Sequence, residues 1–507
     1  MSAAGVVAAN SIPINPVHSM DNSKSILGKK LFGTTFSPRD VRWRAGERAK
    51  EGKINSEQKS QMGNWRNALD AMDELGDEFN FLRLGAYWED LEKSENNYDW
   101  KELDELLDEI ERKGKYGVLL TVGMKAPRWP EYYIPKWALP TSPYNAEISK
   151  DPQLRERTKK FIEAVVNRYK GRDMIKAWQV ENEPMDRSGE HHWFIGADFV
   201  KEEAELIRSL DQRPLVINCW CELQRIGSDP WEDDEYAVRN AIQYGDILGL
   251  DIYPNIDGDD SDKERRTKEL PTEYIKRARD AGKDAWVIES QAEPWGEYTP
   301  DLGKVESLVA QHIEQGFQCV LLWGFEWWWE KRFTEPALSK KWFEHIRWEA
   351  RRFGIVSRVF HNWKTNNATN LASYNGKLYL TVVGNNNNEI WLLSSDDDGK
   401  NWTTSQVLGD AHWQTQHPVG IAFSQGKLYL TVVGNNNNQI WLLSSNDEQY
   451  NNWDAQSGIF KDWKTNQAIS IMEFKEGLNS SESRIHLSLV GLTEGEIYIC
   501  TDNPVLN

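Results

Sequence analysis

Two glutamates stand where a catalytic pair of carboxyl groups would be expected, each directly after an apolar, strand-like run. Glu183 belongs to residues 178–184 (WQVENEP), and Glu289 follows residues 285–288 (AWVI). Two facing carboxyl groups about 5–5.5 Å apart can cleave a glycosidic bond with retention, one donating a proton and the other attacking the anomeric carbon. For either motif alone, a charged strand-to-loop junction is the simpler interpretation. The presence of both favours a catalytic pair.

Such a pair requires a fold that brings the ends of distant strands together. Between residues 30 and 353, β-rich runs alternate with segments of helical periodicity, which predicts parallel βαβ units. The eight predicted strands are Leu31–Phe36, Phe79–Leu84, Tyr116–Val122, Ile175–Val180, Pro214–Asn218, Ile247–Ile252, Ala285–Ile288 and Cys319–Trp323. A closed (β/α)8 TIM barrel, an α/β fold, would place the ends of strands four and seven at one mouth. A doubly wound sheet is the competing architecture, but no glycine-rich phosphate loop follows the first run.

The paired motifs resemble those of the clan A glycoside hydrolases, in particular cellulase-like and β-galactosidase-like members, over roughly residues 30–353. In that clan the acid/base glutamate follows an asparagine at the end of strand four, and the nucleophile ends strand seven. The resemblance therefore implies that Glu183 is the general acid and base and that Glu289 is the nucleophile. One departure lies after the third strand: many cellulase-like members have a histidine there, whereas this chain has residues 121–131 (TVGMKAPRWPE).

The same resemblance implies further residues at the barrel mouth. The candidates for substrate binding are Arg83, Asn182, Tyr253, Trp323, Trp129 and Trp295. By analogy with the clan, Arg83 supports the nucleophile, Tyr253 donates a hydrogen bond to it, and Asn182 binds the substrate 2-hydroxyl. Trp323 corresponds to the aromatic floor of the −1 subsite. The other two tryptophans are candidate sugar platforms, although loop packing explains them nearly as well.

The function predicted from these residues is that of a retaining β-glycoside hydrolase. Its substrate would be a neutral, β-linked oligosaccharide or polysaccharide, cleaved by a two-glutamate double displacement without metal or organic cofactor. The alternative is a non-catalytic, lectin-like or assembly protein built on a barrel scaffold. Transglycosylation would use the same residues. The sequence does not specify which sugar is bound, or whether cleavage is endo or exo.

A repeat of 50 residues follows the barrel and predicts a separate all-β domain over residues 360–507. Residues 376–388 (GKLYLTVVGNNNN) recur as residues 426–438, and Trp363, Trp413 and Trp463 mark three units at this interval. The period, the alternating pattern and an Asp-box-like hairpin at residues 395–402 resemble the blades of a β-propeller. Three units are too few to close a propeller in one chain. They would therefore associate with another chain or form a smaller β module.

Composition excludes several partners and favours a carbohydrate. The net charge of −19 disfavours nucleic acid and anionic membranes, and 25 tryptophans favour stacking on sugar rings. We expect no metal site at His191 and His192 or at the acidic residues 257–263, and reduced core thiols at the four cysteines. Residues 1–29 form an N-terminal extension without the features of a secretory signal. A cytoplasmic location, or export by a non-standard route, is the resulting prediction.

Overall fold

The computed structural model describes the barrel region and most of the C-terminal repeats. The described residues are 30–220, 234–254, 265–294, 299–355, 365–396, 399, 402–406, 413–435, 437–446, 450, 452–456, 464–475, 483–490 and 497–501. The chain divides into two compact units, with the boundary between residues 357 and 358. The predicted N-terminal extension lies outside the described residues, and the predicted domain limits at 353 and 360 stay predictions.

The first unit contains a closed barrel of eight parallel strands, which confirms the predicted fold. The strands in chain order are β1 (Leu31–Thr35), β2 (Phe79–Gly85), β3 (Glu92–Ser94), β4 (Asn97–Tyr98), β5 (Gly117–Val122), β6 (Ile175–Val180), β7 (Leu215–Trp220), β8 (Ile247–Ile252), β9 (Asp284–Gln291) and β10 (Cys319–Trp323). β3 and β4 form a small hairpin, and the barrel order is β1-β10-β9-β8-β7-β6-β5-β2. All eight predicted strands are present. β9 is longer than predicted, because Glu289 still pairs with Asp251 of β8 and Gln291 with Trp323 of β10.

Helices connect the barrel strands. They are α1 (Pro38–Lys50), α2 (Ser56–Met62), α3 (Trp65–Ala71), α4 (Trp88–Leu91), α5 (Lys101–Lys113), α6 (Pro152–Tyr169), α7 (Ala197–Leu210), α8 (Asp234–Tyr244), α9 (Leu270–Asp280), α10 (Leu302–Gln315), α11 (Phe325–Thr334) and α12 (Pro336–Ile355). Short 3-10 turns lie at Met72–Leu75 and Ile148–Lys150, and a π-helical turn at Arg265–Glu269 precedes α9. In the described part of the chain, no helix has the length and apolarity to cross a membrane.

Local sequence explains where several helices begin and end. The side chain of Asp151 accepts hydrogen bonds from the first turn of α6, and Pro152 supplies a helical φ at its first position. Gly114 ends α5 with a left-handed φ of 64°, a conformation that glycine adopts without steric cost. Local sequence therefore sets the C-terminal end of α5 and the N-terminal end of α6.

Two apolar layers hold the barrel. Inside it, alternate strand residues form a compact core, which consists of Leu31, Phe81, Leu119, Ala177, Val216, Ile247, Trp286, Ile288, Cys319 and Leu321. The other face of the strands packs against the surrounding helices in a much larger cluster. The interior is therefore filled below the mouth, so that, among the described residues of the strands, those at the carboxyl ends are placed to meet a ligand.

The second unit consists, in its described part, of three antiparallel sheets. The first sheet has β11 (Asn370–Tyr374), β12 (Lys377–Val383), β13 (Ile390–Ser395) and β14 (Thr403–Gln406). The middle sheet has β15 (Gly420–Ser424), β16 (Lys427–Val433), β17 (Ile440–Ser445) and β18 (Asp454–Gln456), and the third has β19 (Ser470–Lys475), β20 (Ser483–Val490) and β21 (Ile497–Thr501). Each sheet follows chain order, so every repeat folds as one meander. The predicted all-β unit is confirmed, and its likeness to a propeller stays a prediction.

Candidate active site

The two acids of the 178–184 motif follow β6 and turn in different directions. Their backbones are left-handed, with φ of 60° at Glu181 and 41° at Glu183, an uncommon conformation for residues other than glycine. The Glu181 carboxylate accepts hydrogen bonds from the backbone N–H groups of Met124 and Lys125, at 2.8 and 2.5 Å. A Cβ at Gly123 would lie 2.2 Å from the Glu181 carboxyl group, so glycine there permits this close approach. Glu181 is thereby directed into the loop after β5.

Glu289 is held by a cation and a hydroxyl group, one at each oxygen. Fully buried Arg83, on β2, donates to Oε1 at 2.5 Å, and the Tyr253 hydroxyl donates to Oε2 at 2.7 Å. Trp220 stacks on Tyr253 with ring centroids 4.9 Å apart and planes 3° from parallel. Burial and the charge of Glu289 raise the pKa of Tyr253 well above its ordinary value, so the phenol keeps its proton. This arrangement fixes the position of the Glu289 carboxylate.

Asn182 lies between Arg83 and a second amide. Arg83 donates to the Asn182 Oδ1 atom and, through Nε, to Gln179 Oε1 at 2.7 Å. Asn218 of β7 donates to the same Asn182 oxygen at 3.1 Å and accepts from the backbone N–H of Glu183 at 2.9 Å. The network therefore joins both candidate glutamates through Arg83 and two asparagines. Sequence reasoning missed Gln179 and Asn218, which are polar residues in otherwise apolar strands.

A third acid, Asp251, lies beside the candidate pair and was also missed. It is fully buried at the end of β8, where Asn218 donates to it at 2.6 Å. Its carboxyl group lies close enough to Glu183 for its charge to raise the pKa of that glutamate. Burial, followed by the charge of Glu289, raises the pKa of Asp251 well above its ordinary value. The signal that was available is its acidic side chain within an apolar strand, two residues before Tyr253.

The surroundings of Glu183 favour its protonated form. Burial contributes most to raising its pKa well above the ordinary value, and the negative charges of Asp251, Glu131 and Glu289 add to it. Lys125 opposes them with its positive charge. A buried carboxyl group among other carboxyl groups retains its proton because ionisation would place like charges together in a low-dielectric site. Glu183 can therefore serve as a proton donor at a pH where an exposed glutamate is ionised.

A buried lysine connects Glu183 to a further acid. Lys125 lies in the segment after β5 that departs from the cellulase-like pattern; it pairs with Glu131 at 3.1 Å and donates to the backbone carbonyl of Glu183 at 2.9 Å. The hydroxyl of Ser188 lies 2.6 Å from Glu131 Oε2 and 3.1 Å from Glu183 Oε2. A hydroxyl group has one proton to donate, so Ser188 links the protonation states of these two carboxyl groups.

The predicted aromatic residues have different environments. Trp323 is almost fully buried, and the Arg128 guanidinium covers one of its faces at 3.8 Å from the ring centroid. At most one face is thus left for a sugar. Trp129 is 62% exposed, as a surface platform would be, whereas Trp295 lies outside the described residues. The rings of His191 and His192 pack against Trp193 and Tyr144. Residues 257–263 lie outside the described residues.

Comparison with known proteins gives one family match within the barrel. The family described as β-galactosidase matches residues 54–194. The β-galactosidase bgaB of Geobacillus kaustophilus is 27% identical over 116 residues, which is 20% of this chain and 17% of that protein. The chain therefore spans about a sixth of the length of the curated relatives it matches.

Solved structures give likenesses of lower identity. One is an endo-β-1,4-mannanase from Thermotoga petrophila, with 12% identity, a TM-score of 0.45 and coverage of 85% of this chain and 98% of that chain. Another is a cold-adapted β-galactosidase from Rahnella sp. R3, with 13% identity, a TM-score of 0.45 and coverage of 67% and 58%. The family match and the eight-stranded parallel barrel confirm the resemblance of this chain to the clan A glycoside hydrolases.

Proposed function

We propose that the chain is a retaining β-glycoside hydrolase in which Glu289 is the nucleophile and Glu183 the general acid and base. One observation carries the proposal: two buried glutamates, one after β6 and one in β9, have opposite surroundings. Glu289 accepts hydrogen bonds from Arg83 and Tyr253, whereas Glu183 lies among carboxyl groups that favour its protonation. Double displacement needs this division, because one group must attack as a carboxylate while the other delivers a proton.

In the proposed first step, each of the two carboxyl groups has a separate part. A Glu289 oxygen forms a bond to the anomeric carbon while the glycosidic C–O bond breaks, and the departing oxygen takes the Glu183 proton. Arg83 and Tyr253 orient the attacking carboxylate, because each donates a hydrogen bond to a different one of its two oxygens. In the second step, water gives its proton to ionised Glu183 and its oxygen to the anomeric carbon, and the bond to Glu289 breaks. Each carboxyl group then returns to its starting state.

Asn182 is the residue we propose for the substrate 2-hydroxyl. Its side-chain oxygen already accepts from Arg83 and Asn218, so its amide nitrogen is the atom that can donate to a hydroxyl. Trp323 would contact the sugar through the face that Arg128 does not cover. Trp129, because it is exposed, would serve a more distant sugar unit, where stacking on an indole needs an open ring face.

A neutral substrate fits the pairing of cations at this mouth. Among the described residues near the candidate pair, Arg83 pairs with Glu289, Lys125 with Glu131, and Arg128 with Glu326. A buried cation already neutralised by an acid is a poor partner for the carboxylate of an acidic sugar. We therefore propose a neutral β-linked glycan, and the β-galactosidase family match makes β-galactosides the first substrates to test.

The test compares the wild type with Glu183→Ala and Glu289→Ala on aryl β-galactosides, β-mannosides and β-glucosides. Both variants should lose hydrolysis of whichever glycoside the wild type cleaves. Glu190→Ala is the matched control, since Glu190 is exposed on the loop after β6 and should leave the rate unchanged. Undiminished activity in both catalytic variants would contradict the proposal. A wild type that binds glycans without cleaving any would favour a lectin-like scaffold instead.

A further inference from the structure

Successive sheets of the C-terminal unit are joined by the same contacts, 50 residues apart. Between the first and middle sheets, the Thr381 hydroxyl donates to the Val419 carbonyl at 2.7 Å. Between the middle and third sheets, Thr431 and Ile469 repeat this hydrogen bond at 3.4 Å. The same hydrogen bond therefore joins successive sheets at both places where one sheet packs on the next, which we call junctions.

The asparagine-rich loops provide a second repeated contact. The carbonyl of Asn388 accepts from the backbone N–H of Thr415 at 2.9 Å, and Asn438 accepts from Thr465 at 3.1 Å. Thr415 and Thr465 are both fully buried. Thr365, one repeat earlier, forms the same turn, with its hydroxyl accepting from Asn367 N–H at 3.0 Å, yet it is only half-buried. The first sheet is thus preceded by the same turn that contacts an earlier sheet at the other two junctions, but here the threonine is less buried.

Identical sequences show that one face of the first sheet is open. Residues 377–383 and 427–433 are both KLYLTVV. Leu428 and Leu430 are fully buried in the middle sheet, whereas their counterparts Leu378 and Leu380 are only partly buried in the first. Because the strands are the same, their different burial comes from what covers them. The first sheet covers this face of the middle sheet, as the stack of Phe423 on Tyr374 shows.

The first strand of each sheet shows a larger difference in burial. Leu371 in β11 is 59% exposed, whereas Ile421, its counterpart in β15, is 5% exposed. Ser373, on the same face as Leu371, is exposed as well, and its counterpart is the buried Phe423. The open face of the first sheet therefore includes a large apolar side chain at the position where the middle sheet has one buried.

The third sheet also has an open face, the one that points away from the middle sheet. Met472 of β19 is 57% exposed, whereas its counterpart Ala422 is 5% exposed and lies on the side of the middle sheet that faces the third. Strand register places Ile497, 73% exposed, on the same face, because Met472 pairs with His486 and Val490 of that strand pairs with Ile497. Leu371, Met472 and Ile497 are the large exposed apolar residues among the described ones of this unit, and all lie on these two faces.

We propose that a second copy of this chain covers both faces. The open face of the third sheet in one copy would meet the open face of the first sheet in the other, repeating the junction that already joins sheets within a chain. Each copy has both faces, so two copies related by a two-fold axis form this junction twice. With three sheets from each copy, this closes a ring of six sheets. Closure at two copies leaves no open face, whereas an unclosed series of the same contacts would grow into a filament.

The test is the mass of the full chain in solution, measured by light scattering during size-exclusion chromatography. The proposal predicts twice the 58.7 kDa of one chain. A mass of one chain would overturn it, because the faces would then be covered otherwise or not at all. A mass of three or more copies would overturn the two-fold closure.

Two substitutions, one at each face, locate the contact. Leu371→Arg and Met472→Arg should each give a monomer, since each of the two junctions between copies contains Leu371 of one copy and Met472 of the other. Leu139→Arg is the matched control, because Leu139 is an exposed leucine of the barrel unit and should leave the dimer intact. Circular dichroism confirms that each variant is folded before its mass is read. A dimer that survives in both face variants would contradict the proposed surface.

Discussion

Asp251 and Glu183 are joined through Asn218 at the mouth of the barrel, because Asn218 donates to the Asp251 carboxyl group at 2.6 Å and accepts from the Glu183 backbone N–H at 2.9 Å. Both acids are buried, and ionising them together would place like charges near each other in a low-dielectric site. Burial raises the pKa of both groups, and the charge of Asp251 raises that of Glu183 further. In the proposed mechanism Asp251 is therefore a positioning residue, which keeps the acid protonated without touching the substrate.

Asp251→Asn should move the basic limb of the kcat/KM profile to lower pH. A raised pKa keeps Glu183 protonated as pH increases, and activity is lost when pH passes that pKa. Removing the neighbouring charge lowers the pKa of Glu183, so the loss begins at a lower pH. The profile of hydrolysis against pH measures this directly. A variant with reduced activity but an unmoved basic limb would show that Asp251 acts only through packing.

Tyr253→Phe should reduce kcat/KM by about 10- to 100-fold. It removes one hydrogen bond to the proposed nucleophile, and bonds to charged groups contribute about 1.5–3 kcal/mol. The ring and its stack on Trp220 remain, so the fold should be unaffected. Tyr144→Phe is the control, because Tyr144 is exposed and makes no hydrogen bond to Glu289 among those of the described residues. Equal activity in the two variants would contradict the role of Tyr253.

Lys125→Met should lower the free energy of unfolding by about 3–5 kcal/mol, the cost of leaving one partner of a buried ion pair alone. Glu131 would then lie buried without its cation. Lys276→Met removes a lysine from an exposed pair with Asp280 and should change stability by less than about 0.5 kcal/mol. Denaturant-induced unfolding of the three proteins gives the comparison. A Lys125 variant as stable as the Lys276 variant would refute the importance of this pair.

Gly123→Ala should lower the melting temperature clearly, because its backbone φ is 131° and an added Cβ would lie 2.2 Å from the Glu181 carboxyl group. Strain at such a position costs about 1–3 kcal/mol before the collision is counted. Gly171→Ala is the control, since no atom lies within 4 Å of its added Cβ. Calorimetry measures the melting temperature of each variant, and the difference between them gives the effect specific to Gly123. An unchanged melting temperature for Gly123→Ala would mean that Glu181 can move without cost.

The barrel could be predicted because periodicity along the chain reports which face of each element is buried. Strands such as Ile175–Val180 and Cys319–Trp323 have the predicted bounds, because each is a short β-rich run between segments of helical periodicity. Arg83 and Tyr253 were found because they occupy positions that the family resemblance specifies. Both lie against Glu289, as that resemblance implied.

The rest depends on contacts between residues distant in sequence. Asp251 and Lys125 acquire their roles only when β8 and the loop after β5 come close to Glu183, which no local pattern reports. The repeats show the same limit: Leu380 and Leu430 have identical neighbours in sequence and different burial, because another sheet covers only one of them. Sequence alone therefore indicates which residues can be buried, while the fold decides which are.

Rescue of the two glutamate variants with azide tests the central claim most directly. In Glu289→Gly, azide should take the place of the nucleophile and convert an activated aryl β-glycoside into the α-glycosyl azide. In Glu183→Ala, azide should attack the covalent intermediate from the other side and give the β-glycosyl azide. Nuclear magnetic resonance of the products distinguishes the anomers. The predicted result is this pair of opposite products; a β-azide from Glu289→Gly, or the reverse assignment of the two variants, would contradict the account.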